Sequence, residues 1–280
     1  MKDSKIQLET TLSDQRKLVG YHYVNDEPKF VVLFVHGMGE HFHRYDEIAS
    51  HFQQSGAACL GYDLPGFGKS EGKRGHAPSI EAFYETVDIA KKQLKDLYPK
   101  VPMVLYGHSM GGNTVLSYIL RHDSSDFAAV ISSSPWIRLP DPTPAWRVML
   151  AKMMNVIWPA YTEKTDIDPH LVSKDEETVN AYIADPLVHG FVSASTGLSM
   201  TLAAEYLDTY KGGMPIPCLL MHGDHDSVTE CQATIDFYNR NTENTTLKIW
   251  EGRFHETHND RPRVPVFDYS LNWINNSINK

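Results

Sequence analysis

Cysteine is scarce in this 280-residue chain, with only Cys59, Cys218 and Cys231. So sparse and odd a set excludes a disulfide framework. Cys59 and Cys218 lie in apolar runs and read as small core residues rather than nucleophiles. The count suits a reducing compartment. The start, Met1-Lys2-Asp3-Ser4-Lys5-Ile6, carries no apolar stretch of the secretory kind. No apolar run approaches the ~20 residues of a membrane span, and the expected location is the cytoplasm. Positive charge is also in deficit, with 26 Lys and Arg against 35 Asp and Glu, a net −9. That argues against nucleic acid, whose phosphates need clustered cations, and leaves no polybasic anchor for anionic lipid. Internal repeats, low-complexity tracts and long linkers are missing too, so nothing divides the chain into arrays or tethered modules.

What the chain does have is short apolar runs. Residues 5–12 and 17–24 read as a hairpin around the polar turn Ser13-Asp14-Gln15. Residues 30–35, 57–62, 103–106, 128–131 and 218–221 are continuous apolar runs, the pattern of strands buried on both faces, and 246–250 reads as a sixth strand. Amphipathic helical patterns lie between them at 45–55, 80–97, 110–121 and 228–240. Alternation of this kind predicts a mostly parallel central sheet flanked by helices. One stretch breaks it. From Pro135 to Thr209 no convincing strand is visible, and five prolines fall between Pro135 and Pro159. Such a length is too long for a single crossover. It predicts a helical cap at 135–209, inserted after the sixth strand, with the core formed by 1–134 and 210–280.

The sharpest motif is Gly107-His108-Ser109-Met110-Gly111, between an apolar run and a helical pattern. This is the G-x-S-x-G nucleophile elbow of the α/β-hydrolase fold. The chain must reverse within a couple of residues, and the flanking glycines leave room where a side chain would collide. The serine oxygen then sits over a helix N-terminus, which favours developing negative charge. A chance match to the string is expected about 0.1 times in a chain this long. Ser109 attacking a carbonyl creates an oxyanion, and two backbone N–H donors must already face it. Met110, next to the nucleophile, supplies one. Met38, in the Gly-containing turn His36-Gly37-Met38-Gly39-Glu40-His41, supplies the other.

In this fold the acid and base follow the nucleophile in the order Asp or Glu, then His. The run 218–221 leads into His222-Gly223-Asp224-His225-Asp226, where Asp226 is the expected acid and Asp224 its rival. The run 246–250 leads into Arg253-Phe254-His255-Glu256-Thr257-His258. His255 is the expected base and His258 its rival, placed at the start of the last helical region. Histidine ligands are plentiful here, but His255-Glu-Thr-His258 lacks the spacing that sets two imidazoles on one helical face. No metal and no cofactor are expected.

Taken together, His36-Gly-Met-Gly-Glu-His41 with Arg44-Tyr45, Gly61-Tyr-Asp-Leu-Pro-Gly-Phe-Gly-Lys-Ser70, Gly107–Gly111 and Phe254-His-Glu256 resemble the monoacylglycerol lipase and lysophospholipase group of α/β-hydrolases. The likeness spans about residues 18 to 275, and Asp185-Pro-Leu-Val-His189 resembles a segment near the end of that group's cap. It implies cofactor-free hydrolysis of monoacylglycerol-like or lysophospholipid-like single-chain esters by Ser109, Asp226 and His255. It also implies Met38 and Met110 as oxyanion donors, and Glu40 and Arg44 as supports of the oxyanion loop. Arg253 and Thr257-His258-Asn259-Asp260 depart from the group's usual pattern.

The stretch 149–158, Met-Leu-Ala-Lys-Met-Met-Asn-Val-Ile-Trp, is very apolar for an external helix. It either packs on the core, or its other face lines an acyl pocket or meets a membrane surface in passing. Trp136, Met153, Met154 and Ile157 are the expected substrate contacts. The alternative activities are a short-chain carboxylesterase and an aminopeptidase-like amidase. The amidase needs a cap carboxylate for a substrate amine, from Glu163, Asp166 or Asp168. A non-catalytic binding protein is disfavoured by the complete Ser, Asp and His set, and epoxide or haloalkane hydrolysis by serine at position 109.

Overall fold

Runs of branched and aromatic side chains without polar alternation can only be satisfied with apolar neighbours on both sides. The computed structural model describes residues 4–278 apart from 142 and 166, so Met1 to Asp3 fall outside it. In it β1 (Ser4–Thr11) and β2 (Lys17–Val24) form the hairpin, and β3 (Phe30–Val35) follows, buried along its length. A 3₁₀ turn at Phe42–Tyr45 leads into α1 (Asp46–Gln54), then β4 (Ala57–Tyr62), α2 (Glu81–Leu97), β5 (Met103–His108), α3 (Met110–Arg121) and β6 (Ala129–Ser133). After β6 come α4 (Ala145–Ile157), β7 (Thr162–Lys164), a 3₁₀ turn at Pro169–Leu171, α5 (Glu176–Ala184), β8 (Phe191–Ser193) and α6 (Ala194–Thr209). The chain closes with β9 (Cys218–Gly223), α7 (Cys231–Arg240), β10 (Thr245–Trp250) and α8 (Val264–Ile278).

Eight strands form one sheet in the order β1-β2-β4-β3-β5-β6-β9-β10, and every pairing from β4 onward is parallel. The chain therefore has the α/β-hydrolase fold. One face is covered by α2, α3, α6 and α7, where Phe83, Val115, Met200, Leu207 and Phe237 pack together. The other is covered by α1 and α8, through Ile48, Phe52, Phe267 and Ile274. All three cysteines are free. Among the described residues no helix is long and apolar enough to cross a membrane.

The stretch after β6 differs from the expectation in two ways. It contains strands, since Thr162, Glu163 and Lys164 pair antiparallel with Ser193, Val192 and Phe191. Three-residue strands whose partners lie some thirty positions away leave no period to read. In addition, α6 is not external. Its Met200, Ala203 and Leu207 enter the core between α3 and α7. Two helix starts also move. Helix α7 begins at Cys231 rather than 228, because the N–H groups of Val228 and Thr229 donate to the Asp226 carboxylate. Helix α8 begins at Val264 rather than at His258. Arg253 takes the carbonyls of Thr257, Asp260 and Pro262, so the preceding loop cannot wind as a helix.

Candidate active site

Parallel strands deliver their C-terminal ends to one edge of the sheet, and the expected reactive residues collect there. Ser109 follows β5 directly and sits at φ 55° and ψ −118°, a conformation that side chains rarely adopt. The glycines permit it. A Cβ on Gly107 would lie 2.2 Å from the Gly111 carbonyl oxygen, and one on Gly111 would lie 2.1 Å from that of Val35. Met110 opens α3, where the first amides of a helix have no intrahelical acceptor. Met38 stands in the turn after β3. The neighbouring Gly37 N–H donates to Glu40 Oε1 at 2.6 Å.

The rival acids and bases stand in different surroundings. His255 Nδ1 lies 2.7 Å from Asp226 Oδ2, and the side chains of both are almost fully buried. Asp226 also accepts the amides of Val228 and Thr229 at 2.7 and 2.9 Å, the Thr229 hydroxyl at 3.0 Å, and lies 3.0 Å from His222 Nε2. Burial raises the carboxyl's pKa, but His255 and His222 outweigh it and hold Asp226 well below the usual carboxylate range. Asp226 is therefore ionised, Nδ1 of His255 carries the shared proton, and Nε2 is left as an acceptor. Asp224 points to the loop surface and accepts from Gly252 N–H and His225. His258 is buried against Tyr45, with ring centroids 4.8 Å apart, and edge-on to His108 at 4.9 Å. Burial pushes its pKa down to about 3. Among the described residues neither of its ring nitrogens has a hydrogen-bond partner.

Ser109 and His255 share the walls of a small cavity of about 30 Å³ with Gly37, Arg44, Tyr182 and Glu256. A larger cavity of about 580 Å³ opens on the other side of Ser109 and Met38 and runs under α4. Trp136 and Met154 line it, together with Val148, Ala151, Ile167, Leu171 and Leu198. Met153 and Ile157 do not, and both are exposed on the outer face of α4. Helical spacing explains Met153, which lies around the turn from 147, 151 and 154, whereas Ile157 is the last residue of α4. Glu163 lines the cavity but lies 3.4 Å from Arg147. Asp168 caps the 3₁₀ turn through His170 N–H, and Asp166 lies outside the described residues.

Several contributing residues carried no isolated motif. Arg44 makes a two-pronged bond to Glu256, at 2.6 and 2.7 Å, and reaches Glu40 at 3.0 Å, so one cation joins the oxyanion turn to the His255 loop. The Ser134 hydroxyl donates to the His255 carbonyl at 2.8 Å, and Thr229 donates to Ser134 O. The polar Ser132-Ser133-Ser134 tail on an otherwise apolar strand was the visible sign. Among the described residues no three His, Cys, Asp or Glu side chains form a metal set. The string 222–226 is instead split between Asp226 and the surface.

Residues 26–262 match the family model described as serine aminopeptidase, S33. The monoacylglycerol lipase of Mycolicibacterium smegmatis is 30% identical over 250 residues, covering 89% of this chain and 89% of that protein. An uncharacterized abhydrolase domain-containing protein of Dictyostelium discoideum is 33% identical over 254 residues. There the match covers 90% of this chain but only 27% of that protein's length. The crystal structure of the Paleococcus ferrophilus monoacylglycerol lipase superposes with a TM-score of 0.81 at 28% identity, covering 98% of each chain.

Proposed function

The chain belongs to the serine aminopeptidase S33 family and is a hydrolase of the monoacylglycerol lipase type, and from that premise we propose that it cleaves single-chain lipid esters, monoacylglycerol-like or lysophospholipid-like, through Ser109, His255 and Asp226. Ser109 Oγ attacks the ester carbonyl carbon as its proton passes to His255 Nε2. The Met38 and Met110 amides receive the oxyanion. The alcohol leaves with the proton from His255, and an acyl-serine remains. Water then attacks the acyl carbon, His255 takes its proton, and the fatty acid departs as that proton returns to Ser109. Asp226 stays ionised throughout and holds the imidazole in one tautomer. No step consumes a cofactor.

The observation that carries the substrate class is the cavity of about 580 Å³ beginning at Ser109 and Met38. It has the size of a small-molecule site, and its inner wall of Trp136, Val148, Ala151, Met154 and Leu198 suits an acyl chain. The pairing of Glu163 with Arg147 weighs against an aminopeptidase-like amidase, since that carboxylate already has a cation. In this reading 1–134 and 210–280 form the core and 135–209 the cap, with α6 as the part of the cap that packs into the core. The outer face of α4, with Trp146, Met149, Met153, Val156 and Ile157 exposed, is where the cap meets a lipid surface.

The test is a panel of p-nitrophenyl esters and monoacylglycerols of increasing chain length, with Ser109→Ala as control. The expected result is kcat/KM rising with chain length and abolished in Ser109→Ala. A preference for acetate esters replaces the reading with a short-chain carboxylesterase, and faster cleavage of aminoacyl anilides with the amidase.

A further inference from the structure

Among the departures at Arg253 and 257–260, Asn259 and Asp260 find partners in the cap. Asp260 is fully buried. Its Oδ2 accepts the Phe254 N–H at 2.8 Å, and its Oδ1 accepts the Lys174 N–H at 2.8 Å and the Ser173 hydroxyl. One carboxylate thus ties the residue before His255 to the lead into α5. Beside it the Glu256 N–H donates to the Val172 carbonyl at 2.8 Å.

The other end of the same cap segment is fastened to the oxyanion turn. Asp185 Oδ2 lies 2.8 Å from Nε2 of the buried His41, and the His189 N–H donates to the Gly39 carbonyl at 2.9 Å. Between the two ends, the Tyr182 ring covers the Arg44 guanidinium, 4.6 Å from the ring centre. Arg44 is the cation that joins Glu40 and Glu256. Val172 and Tyr182 also wall the small cavity beside Ser109 and His255. By contrast, α4 has no buried residue.

We propose that residues 171–189 are not lid but brace: they hold the oxyanion turn and the His255 loop at a fixed separation, with Asp260, Tyr182 and Asp185 as positioning residues. The inference rests on the Ser109, His255 and Met38 roles proposed above. Because the brace acts on the reacting geometry and not on acyl contacts, it governs turnover of even the shortest ester.

Tyr182→Leu and Asp185→Asn, at two points of the segment, are compared with wild type on p-nitrophenyl acetate. Active sites are counted with a fluorophosphonate so that unfolded protein does not enter kcat. Each variant is expected to lose about tenfold or more in kcat per labelled site, with KM within about twofold, since sub-ångström misplacement is felt in the reacting step. Tyr182→Phe keeps the ring over the guanidinium and is expected to recover kcat to within about threefold of wild type. Two results overturn the brace alone: a labelled wild type whose variants turn over equally fast per site, or a Phe variant as impaired as Leu. A wild type that the fluorophosphonate leaves unlabelled overturns the brace together with the Ser109 reading.

Discussion

Burial by itself pulls the His255 imidazole toward a lower pKa, but Asp226 beside it, by charge and hydrogen bond, outweighs burial and lifts it above 6.5. A general base works only while unprotonated. A raised pKa therefore moves the acid limb of kcat/KM upward, and its midpoint is expected above pH 6.5. Asp226→Asn removes the charge and disturbs the tautomer. The limb should then shift to lower pH while kcat falls by about 10⁴, whereas Asp224→Asn, on the loop surface, should leave both nearly in place. A pH–rate profile of the three proteins decides it, and an unmoved limb in Asp226→Asn sinks the pairing. Arg44 makes a second case at the same scale. It is the guanidinium between the buried carboxylates Glu40 and Glu256. Removing it leaves two acids facing each other without a cation. Arg44→Leu is expected to cost about 3–5 kcal/mol in urea unfolding, and a loss under ~1 kcal/mol refutes the bridge.

Elements act through which face they show. Helix α4 turns Val148, Ala151 and Met154 inward and Met149, Met153 and Val156 outward. Met154→Ala is therefore expected to raise KM for long-chain esters severalfold, and Met153→Ser with Ile157→Ser to leave KM for a dissolved ester unaltered while weakening adsorption to lipid vesicles. Equal effects of both on KM would discard the two-faced helix. That division could not be read from the sequence, because polarity does not mark the outward face: Arg147 lines the cavity while Met149, Met153 and Val156 are exposed. The central strands were legible for the opposite reason: 30–35 and 57–62 contain nothing that tolerates water, so they had to be interior. The elbow was legible because only glycine fits against the Gly111 and Val35 carbonyls. Asp226 is expected on position, and Val228, Thr229 and His222 gather on its carboxylate, a clustering that the sequence does not display. Ser134 and Glu256 were missed as contributors because their roles depend on strands and loops that meet only after folding. The short pair β7 and β8 left no pattern at all.

Across the whole molecule, burial keeps several histidines neutral. It takes His22 and His36 to about 4 and His258 to about 3, and His108 well below its ordinary value. In the unfolded chain each titrates near 6.5. Between pH 6.5 and about 4 the unfolded state therefore binds protons that the folded state refuses, and stability must fall as pH falls. His255 opposes this, because its raised pKa favours the protonated folded form, but it is one group against these four, with His76 and His189 lowered as well. With three protons taken up on unfolding, the slope reaches ~4 kcal/mol per pH unit. Over the roughly 2.5 pH units of that window the loss reaches up to ~10 kcal/mol, comparable with a total stability of roughly 5–15 kcal/mol. The protein should accordingly be steady from pH 7 to 9 and unfold cooperatively on mild acidification, before most carboxylates titrate. Urea unfolding at pH 8, 7, 6 and 5 measures the slope, which is expected to correspond to two or more protons. His22 sits on β2 with the Tyr98 hydroxyl 3.1 Å from its Nε2, so His22→Leu can remove one titrating group on an outer strand pair away from Ser109. That variant should flatten the slope by about one proton, and a stability curve level down to pH 5 in the wild type would show that these imidazoles find protons or water in the folded state.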